Sequence, residues 1–283
     1  MKTHINKKGI TIKSSFKLIA SLFGIKMFLL SLLPTFIKII QGITLSFFHI
    51  DLNINYYLPI IIVLGSLILY IYLIKKMILE KGYKISLGLK PKIRSVSFII
   101  LLLAGFILVY DNTFQPFISN NIKEFSFIKE IISEQFENPI SSFFLIIIIA
   151  PIFEEVIFRG VILKQLLKQY SLIISLFISS ILFAFIHFNI NQGIGAFFWG
   201  MIFGFVYYKT ESLIIPIILH LINNLFYFFV HYYWTSYDIM SKEINLVQII
   251  IGLFLLGGSY LILNKTKIVK NENYNVIIKD IKT

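Results

Sequence analysis

The chain has 283 residues, of which 57% are hydrophobic and 14% charged, with a net charge of +12 and no cysteine. Soluble domains carry about 25% charged residues, so this composition excludes a water-soluble globule. The missing thiols exclude disulfides, thiolate zinc sites and cysteine nucleophiles. Nucleic acid is excluded as a partner too, because the basic residues lie between apolar stretches, as membrane topology signals do.

Apolar stretches of membrane-spanning length recur along the whole chain, and no polar stretch is long enough to build a separate soluble domain. The predicted fold class is therefore all-α: one polytopic transmembrane domain over residues 1–283 with about eight helices. The N-terminal segment MKTHINKKGITIKSSFK is basic and precedes an apolar run that continues past Lys26 to about Ile40. No small-x-small site follows it, so it reads as a retained first span and not as a cleaved signal. In chain order the predicted spans are 18–40, 57–74, 95–110, 140–168, 171–188, 194–208, 212–230 and 244–263. The bias toward Ile, Lys, Phe and Asn resembles that of a low-GC bacterium.

Charge orients these spans. Between the second and third, Lys75, Lys76, Lys81, Lys84, Lys90, Lys92 and Arg94 face a single Glu80, which makes this loop cytoplasmic. An even number of spans puts both basic ends, with Lys265, Lys267 and Lys270, on the same side. The segment from Asp111 to Pro139 carries Asp111, Glu124, Glu130, Glu134 and Glu137, and is expected outside. Within the sixth span, Gly200 and Gly204 share one helix face, a spacing that permits close helix approach in lipid.

The fourth span holds the first chemical signal, APIFEEVIFRGVIL. A charged residue at mid-membrane costs roughly 2.5–3.5 kcal/mol on translocon scales, and three occur here. Glu155 and Arg159, at i and i+4, can neutralise each other. Glu154 points about 100° away around the helix, where the sequence offers it no such local companion. The competing reading ends the span near Phe153 and makes 154–168 an ordinary cytoplasmic surface helix.

Histidine sharpens the choice. His4, His49 and His231 fall in the basic tail or at span ends, whereas His187 and His220 are embedded in FAFIHF and IILHLINN. Phe183 precedes His187 by four residues. Asn224 follows His220 by four, so the two project from one helix face and can donate two hydrogen bonds into one cavity. Counted at 1.5 Å per residue from the cytoplasmic turn, Glu154 stands about 21 Å high and His187 about 24 Å. His220 stands only about 12 Å above Ser212, a mismatch that requires a turn sunk into the membrane or differently tilted helices. A carboxylate and an imidazole converging in apolar surroundings suit general-base activation of water, and a His/Asn pair suits oxyanion stabilisation.

Glu154-Glu155-x-x-x-Arg159, Phe183-x-x-x-His187 and His220-x-x-x-Asn224, in this order in a polytopic chain, resemble the CPBP family of intramembrane proteases. That family, also called Abi or CAAX-protease-like, includes CAAX prenyl endopeptidases and bacteriocin-processing or immunity proteins. The likeness runs over residues 139–230, the expected catalytic core. It takes in YYKTESLIIPIILHLINN, with Lys209, Thr210, Ser212, Leu213 and Pro216; residues 1–110 carry no diagnostic motif. The resemblance implies that Glu154 activates water with His187 assisting, that Glu155 and Arg159 support the site, and that His220 and Asn224 form the oxyanion hole. Its implied substrate is a membrane-associated peptide or protein within the lipid bilayer. No cofactor is expected: although Glu and two His could hold Zn²⁺, no H-E-x-x-H pair occurs. Two other classes compete, a proton-coupled transporter and a non-catalytic immunity or scaffold protein.

Overall fold

The computed structural model describes residues 9–27, 33–49, 61, 63–65, 67, 68, 70–72, 74, 75, 87, 88, 93–123, 138–187, 189–233 and 244–265. Helix is the only regular structure among them, as expected where lipid offers the backbone no hydrogen bonds. The elements are α1 (Ile12–Met27), α2 (Leu33–Phe48), α3 (Ile93–Asp111), α4 (Phe114–Asn121), α5 (Pro139–Leu166), α6 (Leu172–Phe185), α7 (Ile190–Thr210), α8 (Ile214–Tyr233) and α9 (Leu246–Lys265). The described residues from 61 to 75 are helical as well. Segments 96–118, 139–166, 190–210 and 246–265 are long and apolar enough to cross a membrane, and the other apolar helices are shorter. Large apolar side chains such as Phe47, Ile173, Ile222 and Phe254 point outward, as lipid-facing residues do. The protein is an all-α, multi-pass membrane protein.

Several predicted boundaries move. The described part of the first predicted span falls in α1 and α2, which together reach beyond both of its ends. The sixth, predicted as 194–208, runs the full 190–210, because Asn189 Oδ1 accepts from the backbone N–H of Asn191 at 2.8 Å and starts the helix earlier. The expected loop after Asp111 begins with a helix, α4. There the chain bends at Asn112, whose amide donates to the carbonyl of Leu108 and to Gln248 Oε1 on α9, both at 2.8 Å. The fifth span ends three residues early. With 14 residues, α6 rises about 21 Å, less than the roughly 30 Å of a hydrocarbon core. His187 therefore sits in the turn after the helix, where irregular backbone is tolerated because protein surrounds it. His4, Lys76 to Glu80, Lys81, Lys84, Lys90, Lys92, Glu124 to Glu137, Lys267, Lys270 and part of the second predicted span lie outside the described residues.

The chain does not stop at a surface helix after Phe153: α5 continues apolar and buried through Leu166. Two stretches of α5, Phe143–Ile149 and Val156–Leu163, are wound as π-helix. In the first, the N–H of Ala150 bonds the carbonyl of Leu145, five residues back; in the second, the N–H of Lys164 reaches Arg159. The wider turn is uncommon and gathers at functional sites. Between them lies the α-helical piece Ala150–Glu155 that carries both carboxylates.

Packing around α5 builds the core. Ile157, Phe158, Val161, Ile162 and Leu166 meet Leu182 and Phe183 of α6 in one cluster. Leu163 meets Leu176, Tyr207 and Leu213 in another. Close approach of α7 to α6 depends on the predicted glycine pair: a Cβ on Gly200 would stand 3.0 Å from Ser180 Cβ, and one on Gly204 would stand 2.8 Å from Leu176 Cδ2.

Candidate active site

Four of the six residues singled out in the sequence meet in one buried cluster. Glu155 is fully buried and accepts two hydrogen bonds on the same oxygen. Arg159 Nη1 donates to Oε1 at 2.7 Å, and His220 Nδ1 donates to it at 2.9 Å. The i,i+4 spacing anticipated the first bond; the second crosses from α8. Arg159 is 1% exposed, and its remaining contacts hold it flat. Nη2 donates to the carbonyl of Gly200 at 3.2 Å, and the guanidinium lies 4.6 Å from the ring centroid of Phe183 and 5.6 Å from that of Phe203. Burying a cation is tolerable only with such a shell: a carboxylate for the charge, a carbonyl for one N–H group, aromatic faces for the plane.

This shell sets the tautomer of His220. With Nδ1–H committed to Glu155, the opposite nitrogen, Nε2, is the one that faces outward from the pair. It lies 3.9 Å from Glu154 Oε2, a separation that admits a proton-sharing contact on small movement or a substrate atom between them. Glu154 is 4% exposed and His220 5%. The carboxylate that helical spacing leaves unmatched on α5 thus meets an imidazole from α8.

The height mismatch read from the sequence has a structural answer. The α7–α8 turn packs into the protein interior: Leu213 is fully buried and packs against Leu163, and a Cβ on Gly160 would touch its side chain at 3.4 Å. Counting from these contacts, His220 is about 10 Å up α8 and Glu154 about 9–14 Å up α5, and Nε2 of His220 stands 3.9 Å from Oε2 of Glu154. They are level. A buried turn hides the first N–H groups of α8 from water, and the carbonyl of Leu87 satisfies two of them, accepting from the N–H of Leu213 at 3.0 Å and of Ile214 at 3.4 Å. Gly88, at φ +62, lets this strap pass against the backbone of Glu211 and Ser212.

His187 joins through aromatic packing. Its Nδ1 donates to the carbonyl of Phe183 at 2.9 Å, and its ring stands edge-on to Phe183 at 4.9 Å. Phe183 also lies 5.8 Å from the His220 ring, so this phenylalanine touches both imidazoles and the guanidinium. Asn224 occupies the same face of α8 as His220, yet one amide hydrogen goes to the carbonyl of Ile146 at 2.8 Å. The expected pair of donors therefore diverges: Nδ1–H of His220 is engaged by Glu155 and an N–H of Asn224 by the α5 backbone.

Phe203, the carbonyl of Gly200 and Tyr70 also belong to the cluster and carry no sequence signal of it. The Phe203 ring lies 5.4 Å from that of His220. Tyr70 stacks on Phe153 at 4.9 Å and lies within electrostatic reach of Glu154. Aromatic residues are so frequent in this chain that no spacing distinguishes these two. No three His, Asp or Glu among the described residues are grouped for a metal ion.

Comparison with known proteins agrees with the motifs. Residues 136–226 match the family model described as type II CAAX prenyl endopeptidase Rce1-like. A protein of Bacillus subtilis (strain 168) named "Putative membrane peptidase YdiL" is 30% identical over 108 residues, covering 38% of this chain and 44% of the relative. The chain thus spans less than half the length of that curated relative. No solved structure matches.

Proposed function

Because residues 136–226 match the type II CAAX prenyl endopeptidase Rce1-like model, we infer that the chain is a CPBP-type intramembrane endopeptidase that hydrolyses a peptide bond of a membrane-associated peptide or protein. The observation that carries this reading is the linkage Arg159–Glu155–His220, which turns Nε2 of a buried imidazole toward a second carboxylate 3.9 Å away. Arg159 and Glu155 cancel. Nε2 of His220 and Oε2 of Glu154 then face each other across 3.9 Å.

The reaction follows from these positions. Glu154 takes a proton from a water whose oxygen forms a bond to the scissile carbonyl carbon. For this step His220 carries a proton on Nε2 as well as on Nδ1, where Glu155 braces it, and donates to the oxygen that becomes negative in the tetrahedral intermediate. Glu154 then passes its proton to the amide nitrogen as the carbon–nitrogen bond breaks, leaving a carboxylic acid and an amine. His187, fixed to the Phe183 carbonyl, borders the same aromatic wall and assists from the α6 side. No step needs a metal. Both termini and the 75–94 loop face the cytoplasm in this reading, and the substrates are leader peptides or tails of membrane proteins.

The test is hydrolysis of membrane-anchored peptides by the purified protein, read by mass spectrometry. Glu154→Gln is expected to lower the rate by at least about 10³-fold, while a zinc chelator leaves the wild-type rate unchanged. Full activity in Glu154→Gln would remove the mechanism. Proton flux into proteoliposomes that disappears in Glu154→Gln, without cleavage by the wild type, would support a transporter instead.

A further inference from the structure

We propose that Asn224 is a positioning residue that supplies, from α8, the hydrogen bond that Pro151 denies to the carbonyl of Ile146. The π-helical ladder of α5 pairs each carbonyl with the N–H five residues on, and its last bond is Ala150 N–H to Leu145. The next in register would join residue 151 to Ile146. Residue 151 is a buried proline with no N–H. The orphaned carbonyl lies beside buried Ile147 and Ile149, at a depth where an unpaired acceptor is costly. Asn224 Nδ2 stands 2.8 Å from it. Because the partner is a carbonyl, only the nitrogen of the amide can face it. Asn223 Nδ2, 3.3 Å from Asn224 Oδ1, holds the amide in that orientation.

The placement ties this bond to the site. Pro151 precedes Glu154 by one turn, and Asn224 follows His220 by one turn on the same face of α8. The two helices are thus fastened twice, His220 to Glu155 at 2.9 Å and Asn224 to Ile146 at 2.8 Å. A slip of one residue, about 1.5 Å, would break both bonds and carry Nε2 of His220 away from Glu154. The π-turn, the proline and the asparagine form one device that sets the register of α8 against the carboxylates. The kinetic consequence rests on the hydrolytic reading above; the structural one does not.

A double-substitution cycle separates the two. Wild type, Asn224→Ala, Pro151→Ala and the double variant are compared in detergent for thermal midpoint and, on the same membrane-anchored peptides, for kcat and KM. Asn224→Ala is expected to lower the midpoint by roughly 3–8 °C and kcat by at least about 10-fold with KM little changed. In the double variant, the backbone N–H gained at position 151 reaches the carbonyl of Ile146 in the register of its neighbour, so most of both losses return. Pro151→Ser, which restores the same N–H, serves as a second variant. A double variant as impaired as Asn224→Ala in both readouts overturns the assignment, because an asparagine acting on substrate gains nothing from a backbone donor at position 151. Recovery of the midpoint without recovery of kcat overturns the positioning role as well. Recovery of the midpoint when no variant cleaves any peptide leaves the fastening in place and removes only the hydrolytic reading.

Discussion

Glu155 is the residue on which the cluster turns. One of its oxygens holds a guanidinium and an imidazole at once, so its removal leaves a buried cation unpaired and frees the ring of His220. Breaking a buried pair in this way costs about 3–5 kcal/mol. Glu155→Ala is therefore expected to denature far earlier than wild type in detergent, in addition to losing activity. Replacing Glu155 and Arg159 together by leucine and methionine should recover most of the stability and none of the hydrolysis. A thermal scan of the three variants checks this; an unaffected midpoint in Glu155→Ala would mean that Arg159 is compensated elsewhere. Sequence alone made the Glu155–Arg159 pair readable, because helical spacing dictates it. It could not show that Glu155 also orients His220, since those residues are 65 apart in the chain and meet only through the packing of α8 on α5. Phe183 was visible as the companion of His187, but its place against Arg159 and both imidazoles depends on how α6 and α8 lie over α5.

At the scale of elements, hydropathy located most of the helices and misjudged their ends. The reasons are local. A side chain that caps a helix, as Asn189 does, or bends one, as Asn112 does, is a polar residue that hydropathy reads as loop. The π-turns of α5 have no sequence pattern at all; only Pro151 hints that the ladder must change there. Helix packing was partly legible, since the spacing of Gly200 and Gly204 permits a close approach that chance occurrence of glycine would imitate. Gly200→Ala should cost about 1–3 kcal/mol through overpacking, because Ser180 stands in the space that a Cβ would fill. Ser180→Gly opens that space and is expected to restore the thermal midpoint of Gly200→Ala. Independent, additive losses from the two changes would show that the tight α6–α7 contact is not what limits position 200.

For the whole molecule, composition alone determined the class: 14% charged residues and recurrent apolar spans leave no alternative to a membrane protein. The location of the site was legible because charge inside a membrane is expensive enough to mark itself. Its internal wiring was not, because the spans carrying Glu154 and His220 are brought level by a strap, Leu87 and Gly88, from a part of the chain without any diagnostic motif. That strap ties the N-terminal half to the cluster: it closes the backbone at the buried start of α8, the helix that carries His220.

The central claim is that Glu154 and His220 act as one unit in one addition step, the first on the attacking water and the second on the carbonyl oxygen. The most direct measurement is a cycle of hydrolysis rates for purified wild type, Glu154→Gln, His220→Ala and the double variant, under single-turnover conditions. Groups that act together fail together, so each single change should lower the rate by about 10²-fold or more, and the double variant should be no slower than the worse of the two. Effects that multiply, or a single variant that cleaves at the wild-type rate, would contradict the account.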